Sequence, residues 1–358
     1  MKILYVTTVG STMWFFRSFV HELIDKGNTV DIACGAPEEV QICYLEWGCN
    51  IYPLSCTRVP TDLGNIKAIK EIHDLVKNNR YDMVHCHTPI AAVCARFACC
   101  KYRKEGLTVF YTAHGFHFYS GAPFKNWLIY YPAEWICSFM TDTLITINIE
   151  DYKRAKRGFH AKKIFYVPGV GIDTKQFSQN YGGEKIKKEF NIPTGNFVLL
   201  SVGELNKNKN HQIVVKALEG LSNITYIVVG PGDQDALRTL AEKLGVDLIL
   251  TGYRSDISSF YHAANAYILP SIREGLNVSL MEAMASGLPC LAGKIRGNTD
   301  LIDKEGGYLF DPRRFGEVRS SIEKIMTNND GMGIYNRKKI NKFDISSIRT
   351  VLSEIYEK

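Results

Sequence analysis

Short apolar runs alternate with amphipathic segments through the first half of the chain. Each run has the length and composition of a buried strand and ends in a small or polar residue; the runs are KILYVTTVG, TVDIACG, MVHCHT, TVFYTAHG and TLITIN. Between them, FFRSFVHELIDKG and NIKAIKEIHDLVKNN repeat their apolar residues with helical spacing. Strand followed by helix, several times over, predicts a parallel sheet covered by helices on both faces.

The same rhythm starts again after a proline and glycine break, VPGVGID, at residues 167–173. The second set of predicted strands is NFVLLSVGE, ITYIVVGPG, LILTGY, AYILPS and LPCLAG. The pattern therefore predicts an α/β protein with two doubly wound domains that face one another across a linker. Because ligands of such sheets bind beyond the carboxyl ends of the strands, we expect the chemistry in those loops and in a cleft between the domains.

Composition narrows the class of protein. A chain of 358 residues can bury two ordinary cores, and a formal net charge of +6 is too mild for a nucleic-acid-binding protein. The ten cysteines form no C-x-x-C pair, which predicts reduced thiols, and no run of 18 apolar residues occurs. We therefore expect a cytoplasmic protein that does not cross a membrane and does not bind nucleic acid.

Two basic clusters leave a peripheral membrane contact open. Residues 101–104 and 153–157 could hold an anionic lipid surface or could be solvated helix faces. The segment after the fourth predicted strand adds aromatic and basic side chains, namely Phe118, Tyr119, Phe124, Lys125 and Trp127. One hypothesis is therefore reversible binding to the inner face of the cell membrane.

The loops of the first half contain a glycine and three histidines of interest. Gly10 follows the first predicted strand and opens a helix, which suits the close approach of a ligand but also an ordinary tight turn. His114 ends the fourth strand, where an imidazole could meet a phosphate or a sugar hydroxyl or be structural. His85 and His87 flank Cys86 with the spacing of metal ligands, but no third ligand is evident, so we expect no metal there.

The second half places basic residues after its first predicted strand. The loop VGELNKNKNHQ offers Lys207, Lys209 and His211, which could hold a diphosphate, although the same residues could form only a polar turn. Gly230, after the next strand, repeats the pattern of a glycine that permits a close approach, here of the donor. Neither loop fits the Walker pattern or the dinucleotide pattern GxGxxG.

The stretch SIREGLNVSLMEAMASGLP, from Ser271, indicates which ligand these loops could bind. A glycine loop carries Glu274, and Glu282 lies in the first turns of the helix that follows. The amides of residues 275–277 lie between the two carboxylates at the positive end of that helix, so amides could hold a diphosphate and carboxylates could hold sugar hydroxyls. A nucleotide sugar has both groups. Equally, Ser279 and Glu282 could form a capping box with no ligand.

This combination of motifs resembles the retaining glycosyltransferases of family 4, which have the GT-B fold of two facing Rossmann-like domains. The resemblance covers nearly the whole chain and is carried by TAHGFHFYSGAP, VPGVGIDTKQF, VGELNKNKN, VVGPG, TGYRSDI and SIREGLNVSLMEAMASGLP. It implies an acceptor-binding domain over residues 1–169 and a domain that binds the nucleotide-sugar donor over residues 170–342. It also implies that a last helix, 343–358, crosses back to pack on the first domain.

Carried over residue by residue, the resemblance implies a set of donor contacts. Glu274 contacts the hydroxyls of the transferred sugar, Glu282 binds the ribose, and Lys209 meets the diphosphate. The other implied positions are Gly10 beside phosphate and acceptor, the amides of Gly275, Leu276 and Asn277, Tyr253 and Arg254 near the base, and His114 beside the reacting centre. Two departures stand out: Glu204 replaces an arginine that clamps the diphosphate in many relatives, and residues 296–300 read RGNTD where two glycines and a glutamate are frequent.

The resemblance also implies the reaction. The sugar would keep its anomeric configuration, and the leaving diphosphate would take the acceptor's proton while Lys209 and the helix amides replace a metal ion, so no cofactor is expected. The first half looks like bacterial enzymes that transfer a sugar, here from a UDP-sugar, to a glycan on polyprenyl diphosphate in capsule or exopolysaccharide synthesis. Two alternatives remain: a nucleotide-sugar epimerase of the same architecture and a binding module without catalysis.

Overall fold

The structure is a computed structural model that describes residues 1–179 and 181–357. The chain forms two compact units, Met1–Val170 and Gly171–Lys358. The predicted last helix, 343–358, falls within the second unit, and its packing on the first unit stays a prediction. The final residue of that range, Lys358, lies outside the described residues.

Within the described residues, the first unit contains a seven-stranded parallel sheet. Its strands are β1 Lys2–Thr7, β2 Thr29–Cys34, β3 Ile51–Pro53, β4 Met83–His87, β5 Thr108–Ala113, β6 Thr143–Thr146 and β7 Lys163–Tyr166. Its α-helices are α1 Arg17–Asp25, α2 Cys43–Glu46, α3 Gly64–Asn79, α4 Pro89–Cys99, α5 Phe124–Ser138 and α6 Ile149–Gly158. Short 3-10 helices cover Gly10–Phe16, Pro37–Glu39 and Tyr102–Glu105. The strand order is β3-β2-β1-β4-β5-β6-β7.

The second unit repeats this plan with a six-stranded parallel sheet within the described residues. Its strands are β8 Phe197–Val202, β9 Ile224–Val229, β10 Leu248–Gly252, β11 Ala266–Leu269, β12 Cys290–Gly293 and β13 Gly307–Phe310. Its α-helices are α7 Thr174–Ser178, α8 Gly183–Glu189, α9 His211–Leu218, α10 Asp235–Leu244, α11 Ile257–Ala263, α12 Val278–Ala285, α13 Asn298–Leu301, α14 Phe315–Thr327, α15 Met332–Ile340 and α16 Ile345–Tyr356. A 3-10 helix covers Asn341–Phe343, and the strand order is β10-β9-β8-β11-β12-β13.

All ten strands expected from the apolar runs are present, as β1, β2, β4, β5, β6 and β8–β12. The structure adds β3, β7 and β13, which lie at sheet edges. Edge strands are short and partly exposed, so none of the three carries the uninterrupted buried run that marks the central strands.

Both sheets reverse their strand order beside the first strand. In the first unit β1 lies between β2 and β4, and in the second unit β8 lies between β9 and β11. The connections from the two neighbouring strands leave in opposite directions at such a point, and a crevice opens at the carboxyl ends. The loops after β1 and β4, and those after β8 and β11, are therefore where each unit is expected to bind a ligand.

A buried ion pair fixes which way α5 faces in the first unit. The Arg96 guanidinium lies 2.8 Å from Glu134 Oε2, and both side chains are almost fully buried. The Tyr111 hydroxyl donates to the other Glu134 oxygen over 3.0 Å, and Arg96 stacks 4.2 Å from the Tyr111 ring centroid. Breaking such a pair leaves a buried charge alone, at a cost of about 3–5 kcal/mol, so the charged side of α5 must point inward.

The structure corrects several of the residues expected to contact a membrane. Tyr102 is buried, and Arg103 donates two hydrogen bonds to the Asp142 carboxylate over 2.9 and 2.7 Å. Phe118 is fully buried in the core, whereas Phe124 is 74% exposed. In the part of the chain that the structure describes, no helix is both long and apolar enough to span a bilayer.

Candidate active site

The candidate site of the second unit lies where β8 and β11 run side by side. Their parallel register pairs Ala266 with Leu199 and Tyr267 with Leu200, so both strands end at the same edge of the sheet. The loop after β8 carries Lys209, and the loop after β11 carries Glu274. Two residues 65 positions apart in sequence are thereby brought into contact.

Lys209 and Glu274 form an ion pair across these two loops. Lys209 Nζ lies 2.8 Å from Glu274 Oε1, and the two side chains are 17% and 13% exposed. The stem of Lys209 passes over Gly203, where an added Cβ would lie 3.1 Å from the lysine Cε. The sequence predicted each residue separately as a donor contact, whereas the structure shows that they form an ion pair with one another.

Asparagines hold the two loops together on either side of this pair. The Ile272 amide donates to the Asn208 carbonyl over 2.9 Å, and Asn208 Nδ2 donates to the Arg273 carbonyl over 2.9 Å. Asn210, in a left-handed conformation with φ 57°, donates to the carbonyl of Pro270 after β11 over 3.3 Å and to that of Pro312 after β13 over 2.8 Å. The polar-turn interpretation is therefore correct for the asparagines, and the turn fixes where Lys209 points.

Helix α12 turns its N-terminus toward the same edge. Asn277 is the N-cap, and its side-chain oxygen accepts a hydrogen bond from the Leu280 amide over 3.0 Å. Among the described residues, no partner is found for the amides of Gly275, Leu276 and Asn277. Unpaired amides at the positive end of a helix are donors that an anionic ligand can use.

The RGNTD segment supports this glycine loop from behind. The Arg296 guanidinium approaches the Glu274 carbonyl with Nε and Nη2, each 3.3 Å from the oxygen. Gly297 packs so closely that an added Cβ would lie 1.8 Å from the Gly275 carbonyl oxygen, and its φ is 81°. A glycine is therefore required at position 297 to hold the loop in place.

Glu282 has a different environment from Glu274. Its Oε2 lies 2.8 Å from the Tyr261 hydroxyl, and burial raises the pKa of its carboxyl to about 7, which the Tyr261 hydrogen bond only partly offsets. The capping-box alternative is wrong, because Asn277 is the N-cap and Ser279 Oγ lies 3.0 Å from the Val202 carbonyl. Tyr261 lies 21 positions from Glu282, and no motif in the sequence pointed to this contact.

Several other predicted residues of the second unit are engaged within the chain. Arg254 binds the carboxylates of Glu189 and Asp256, at 2.6 and 2.8 Å, while Tyr253 is 78% exposed. Glu204 is exposed and accepts a hydrogen bond from Asn206 over 2.9 Å. The Arg254 guanidinium is therefore already bound by two carboxylates, whereas the Tyr253 ring is accessible.

Two further expectations for these loops are corrected or explained. His211 does not reach the strand-end edge, because it is buried with Nδ1 3.0 Å from the Tyr226 hydroxyl. Gly230 is needed for the fold itself: its φ is 157°, and an added Cβ would lie 2.1 Å from the Gly203 carbonyl oxygen. The close approach at Gly230 is thus between two loops of the chain.

In the first unit, His114 joins a stack of histidines. Its Nε2 lies 3.3 Å from His87 Nδ1, and the His85 and His87 rings lie 4.1 Å apart. Burial lowers the pKa of His114 to about 4 and that of His85 to about 3, so these imidazoles are neutral at pH 7. Among the described residues, no group of three or more histidine, cysteine and carboxylate side chains could hold a metal ion.

A pocket of about 210 Å³ opens at the strand-order reversal of the first unit. The residues after β1 and β4 form one side of it, and the Thr8 and Thr88 hydroxyls lie 2.7 Å apart. Arg58, His117 and Tyr130 line the rest, with the last two rings stacked at 4.5 Å. Sequence reasoning missed Arg58, because its loop follows an edge strand with no clear pattern.

Gly10 lies close to this pocket in sequence but packs against the chain itself. An added Cβ would lie 2.6 Å from the Ala36 carbonyl oxygen and 2.9 Å from the Val40 nitrogen. Packing against the neighbouring loop is therefore enough to require a glycine at position 10, whether or not a ligand binds there.

Two Rossmann-like sheets, of seven and six described strands with the same order over the first six, form the architecture of the GT-B class. Residues 2–148 match the family described as glycosyl transferase 4-like, and residues 183–342 match glycosyl transferases group 1. The chain belongs to the family 4 glycosyltransferases.

The chain is similar to bacterial relatives over most of its length. The Bacillus subtilis (strain 168) protein EpsD, described as a glycosyltransferase, is 35% identical over 324 residues, which are 85% of this chain and 84% of that protein. An Escherichia coli protein described as UDP-Gal:alpha-D-GlcNAc-diphosphoundecaprenol alpha-1,3-galactosyltransferase is 27% identical over 83% of this chain and 82% of that protein. The comparisons give no support to the epimerase alternative.

The fold is shared with solved structures of HepE from Anabaena. The complex of HepE with UDP has a TM-score of 0.81 and 19% identity, and the match covers 100% of both chains. The complex with UDP-glucose has a TM-score of 0.80 and 18% identity, over 100% of this chain and 99% of that one. At this level of identity the likeness shows the fold.

Replacing Glu282 by Gln tests the environment assigned to this carboxyl. Gln keeps an acceptor for the Tyr261 hydroxyl but does not titrate. Because the pKa is raised from 4.5 to about 7 in the folded chain, the wild type loses stability as pH rises between those values. We expect Glu282→Gln to exceed the wild type in urea unfolding by less than about 1 kcal/mol at pH 5 and by about 3 kcal/mol at pH 8.

The matched control for this measurement is Glu242→Gln, on the exposed side of α10. It should show no difference from the wild type that grows with pH. A Glu282→Gln protein that is less stable than the wild type at pH 8 contradicts the assignment.

Proposed function

We propose that the protein is a configuration-retaining glycosyltransferase that moves a sugar from a UDP-sugar to a glycan carried on polyprenyl diphosphate, in the synthesis of a surface polysaccharide. The UDP complexes of HepE and the substrates named for the Escherichia coli relative support the donor and the lipid carrier. The similarity to the Staphylococcus aureus protein named capsular polysaccharide biosynthesis glycosyltransferase CapM supports the pathway.

One observation carries the proposal: a lysine and a carboxylate pair at the reversal of strand order, beside helix amides that have no partner among the described residues. A diphosphate can take the place of the Glu274 carboxylate on Lys209 and also accept from the amides of residues 275–277. Glu274 is then released to accept hydrogen bonds from the sugar hydroxyls. The ion pair of the free chain thus holds both groups where a nucleotide sugar needs them.

Glu282 would bind the ribose in this arrangement. A carboxyl with a pKa of about 7 can accept a hydrogen bond when ionised and donate one when protonated, so it can pair with either side of a ribose hydroxyl. Tyr261 fixes its orientation. Tyr253 would offer its exposed ring to the base, and Glu204 would border the phosphates in place of the arginine of many relatives.

The chemical step would depend on charge placement. The bond from the anomeric carbon to the donor diphosphate breaks, the acceptor oxygen bonds to the same face of that carbon, and the leaving diphosphate takes the acceptor's proton. Lys209 and the α12 amides would stabilise the charge that develops on the diphosphate. His114, neutral because burial lowers its pKa, would donate or accept a hydrogen bond beside the reacting centre rather than supply a charge.

The acceptor would bind in the first unit. The pocket beside Thr8 and Thr88 has hydroxyls for a sugar, and Arg58 at its rim supplies a cation for a diphosphate.

The test of the whole proposal is UDP release from a panel of UDP-sugars with a lipid-linked acceptor, followed by assignment of the anomeric configuration of the product by NMR. Donor conversion without any acceptor would contradict it.

Glu274→Gln is expected to separate catalysis from nucleotide binding. The variant loses the carboxylate that holds the sugar, so turnover should fall by about 100-fold or more. It also frees Lys209 from its competing partner, so UDP alone should bind at least as tightly as to the wild type. Calorimetry with UDP and a transfer assay measure the two effects, with Glu242→Gln as the control; wild-type turnover in Glu274→Gln would refute the assignment.

Metal removal tests the role given to Lys209 and the amides. If they stabilise the leaving diphosphate, transfer rates should be nearly unchanged in EDTA. The measurement is the initial rate of UDP release with chelator and after added Mg²⁺ or Mn²⁺. A loss of activity that either ion restores would show that a metal ion, and not Lys209 with the amides, stabilises the leaving diphosphate.

A further inference from the structure

Helix α5 of the first unit exposes apolar side chains and buries a charged one. Six large apolar side chains on it are exposed, by 40% to 74%: Phe124, Leu128, Ile129, Trp135, Ile136 and Phe139, the last being its C-cap. Their spacing of four, five, eleven, twelve and fifteen residues from Phe124 places them on one side of the helix. We call these six residues the outer face of α5.

The opposite side of the helix carries its charge inward. Glu134 is buried against Arg96, and Trp127 and Tyr131 pack on the core of the unit. The outer face therefore cannot be turned inward by rotating the helix without breaking the buried ion pair. A contiguous exposed apolar face of this size in a folded unit indicates a surface that is covered in use.

A basic segment borders the outer face. The His160 ring stacks on Phe139 at 4.1 Å and meets Trp135 at 5.6 Å. Residues 150–163 contain six lysines and arginines and two acidic residues. Both carboxylates are engaged: Glu150 with Arg154, and Asp151 with the Phe116 amide.

Lys162 of the segment pairs with Asp142 over 2.8 Å, but three other cations in this described part of the chain are not paired in this way. Lys153, Lys156 and Arg157 are exposed, and in the described residues none of them pairs with a carboxylate. An apolar helix face with aromatic side chains, next to unpaired cations, matches the interfacial region of an anionic bilayer. Two copies of this chain joined through the same face would instead bring the basic segments together.

We propose that the outer face of α5 lies in the headgroup region of an anionic membrane, with Lys153, Lys156 and Arg157 bound to the lipid phosphates. This surface replaces the 101–104 cluster, whose Arg103 is committed to Asp142. Tyr130 of the same helix lines the pocket of the first unit, so a lipid-anchored acceptor would reach that pocket from the bilayer surface. Only this last consequence rests on the proposed function; membrane binding itself does not require the reaction.

The test is flotation of the full chain with vesicles of equal parts phosphatidylglycerol and phosphatidylcholine. The wild type should bind, and the double variant Leu128→Glu with Ile136→Glu should bind at least about tenfold more weakly, because each exposed side chain gives up its apolar burial. The matched control is Ile42→Glu with Leu45→Glu, which places two charges at exposed apolar positions of the same unit outside the outer face. This control should bind like the wild type.

Two more arms identify the lipid and the depth of contact. Binding should weaken in high salt, on vesicles of phosphatidylcholine alone, and in Lys153→Glu with Lys156→Glu. Brominated acyl chains should quench tryptophan emission in the wild type and much less in Trp135→Phe. Circular dichroism and UDP binding of each variant report on folding and on the donor site, so a failure here is distinguishable from a failure of the proposed function.

Equal vesicle binding by all variants would overturn the proposal. So would an absence of vesicle binding together with a dimer, seen by sedimentation, that the Leu128→Glu and Ile136→Glu changes dissociate. That second result would assign the outer face to a second copy of the chain.

Discussion

The parallel pairing of β8 with β11 is the constraint on which the candidate site depends. It makes neighbours of two loops that are far apart in sequence, and Lys209 meets Glu274 only because both strands end at the same edge. The asparagine contacts then hold the loops in one register. A lysine on a flexible stem becomes a positioned cation because the carboxylate and the glycine beneath it leave little other space.

The electrostatics of the two units differ in a way that suits their assigned roles. In the second unit charged groups and free amides gather at a partly exposed edge, where an anion can replace one carboxylate. In the first unit burial lowers the pKa of His85, His87 and His114, so the histidine stack is neutral at pH 7. Under the proposed function, the first unit would therefore offer hydrogen bonds to a neutral acceptor hydroxyl, while the second would stabilise the charge of the donor diphosphate.

Much of the fold followed from the apolar runs, because central strands of parallel sheets are buried on both faces and leave a clear pattern. The edge strands β3, β7 and β13 did not, since they are short and half-exposed. The glycine loop, helix α12 and its end near Gly287 could also be located from sequence, through turn and helix-stop residues. Local chemistry was therefore readable where neighbours in sequence determine it.

Contacts between distant residues could not be predicted in the same way. No pattern near Glu282 predicts its hydrogen bond with Tyr261, and no pattern near Glu274 predicts its ion pair with Lys209. The expected exposure of Arg103 was wrong for the same reason, because its partner Asp142 lies just before β6, 39 positions away in sequence. Sequence shows which side chains are present, and long-range packing decides which of them are free.

The central claim is that Lys209 recognises the diphosphate of the donor. The most direct measurement is calorimetric titration of the wild type and Lys209→Met with UDP and with UMP. Loss of a charge-assisted contact to the diphosphate predicts that Lys209→Met binds UDP about 10- to 100-fold more weakly and that the wild-type preference for UDP over UMP nearly disappears. An unchanged affinity for UDP in Lys209→Met would contradict the account.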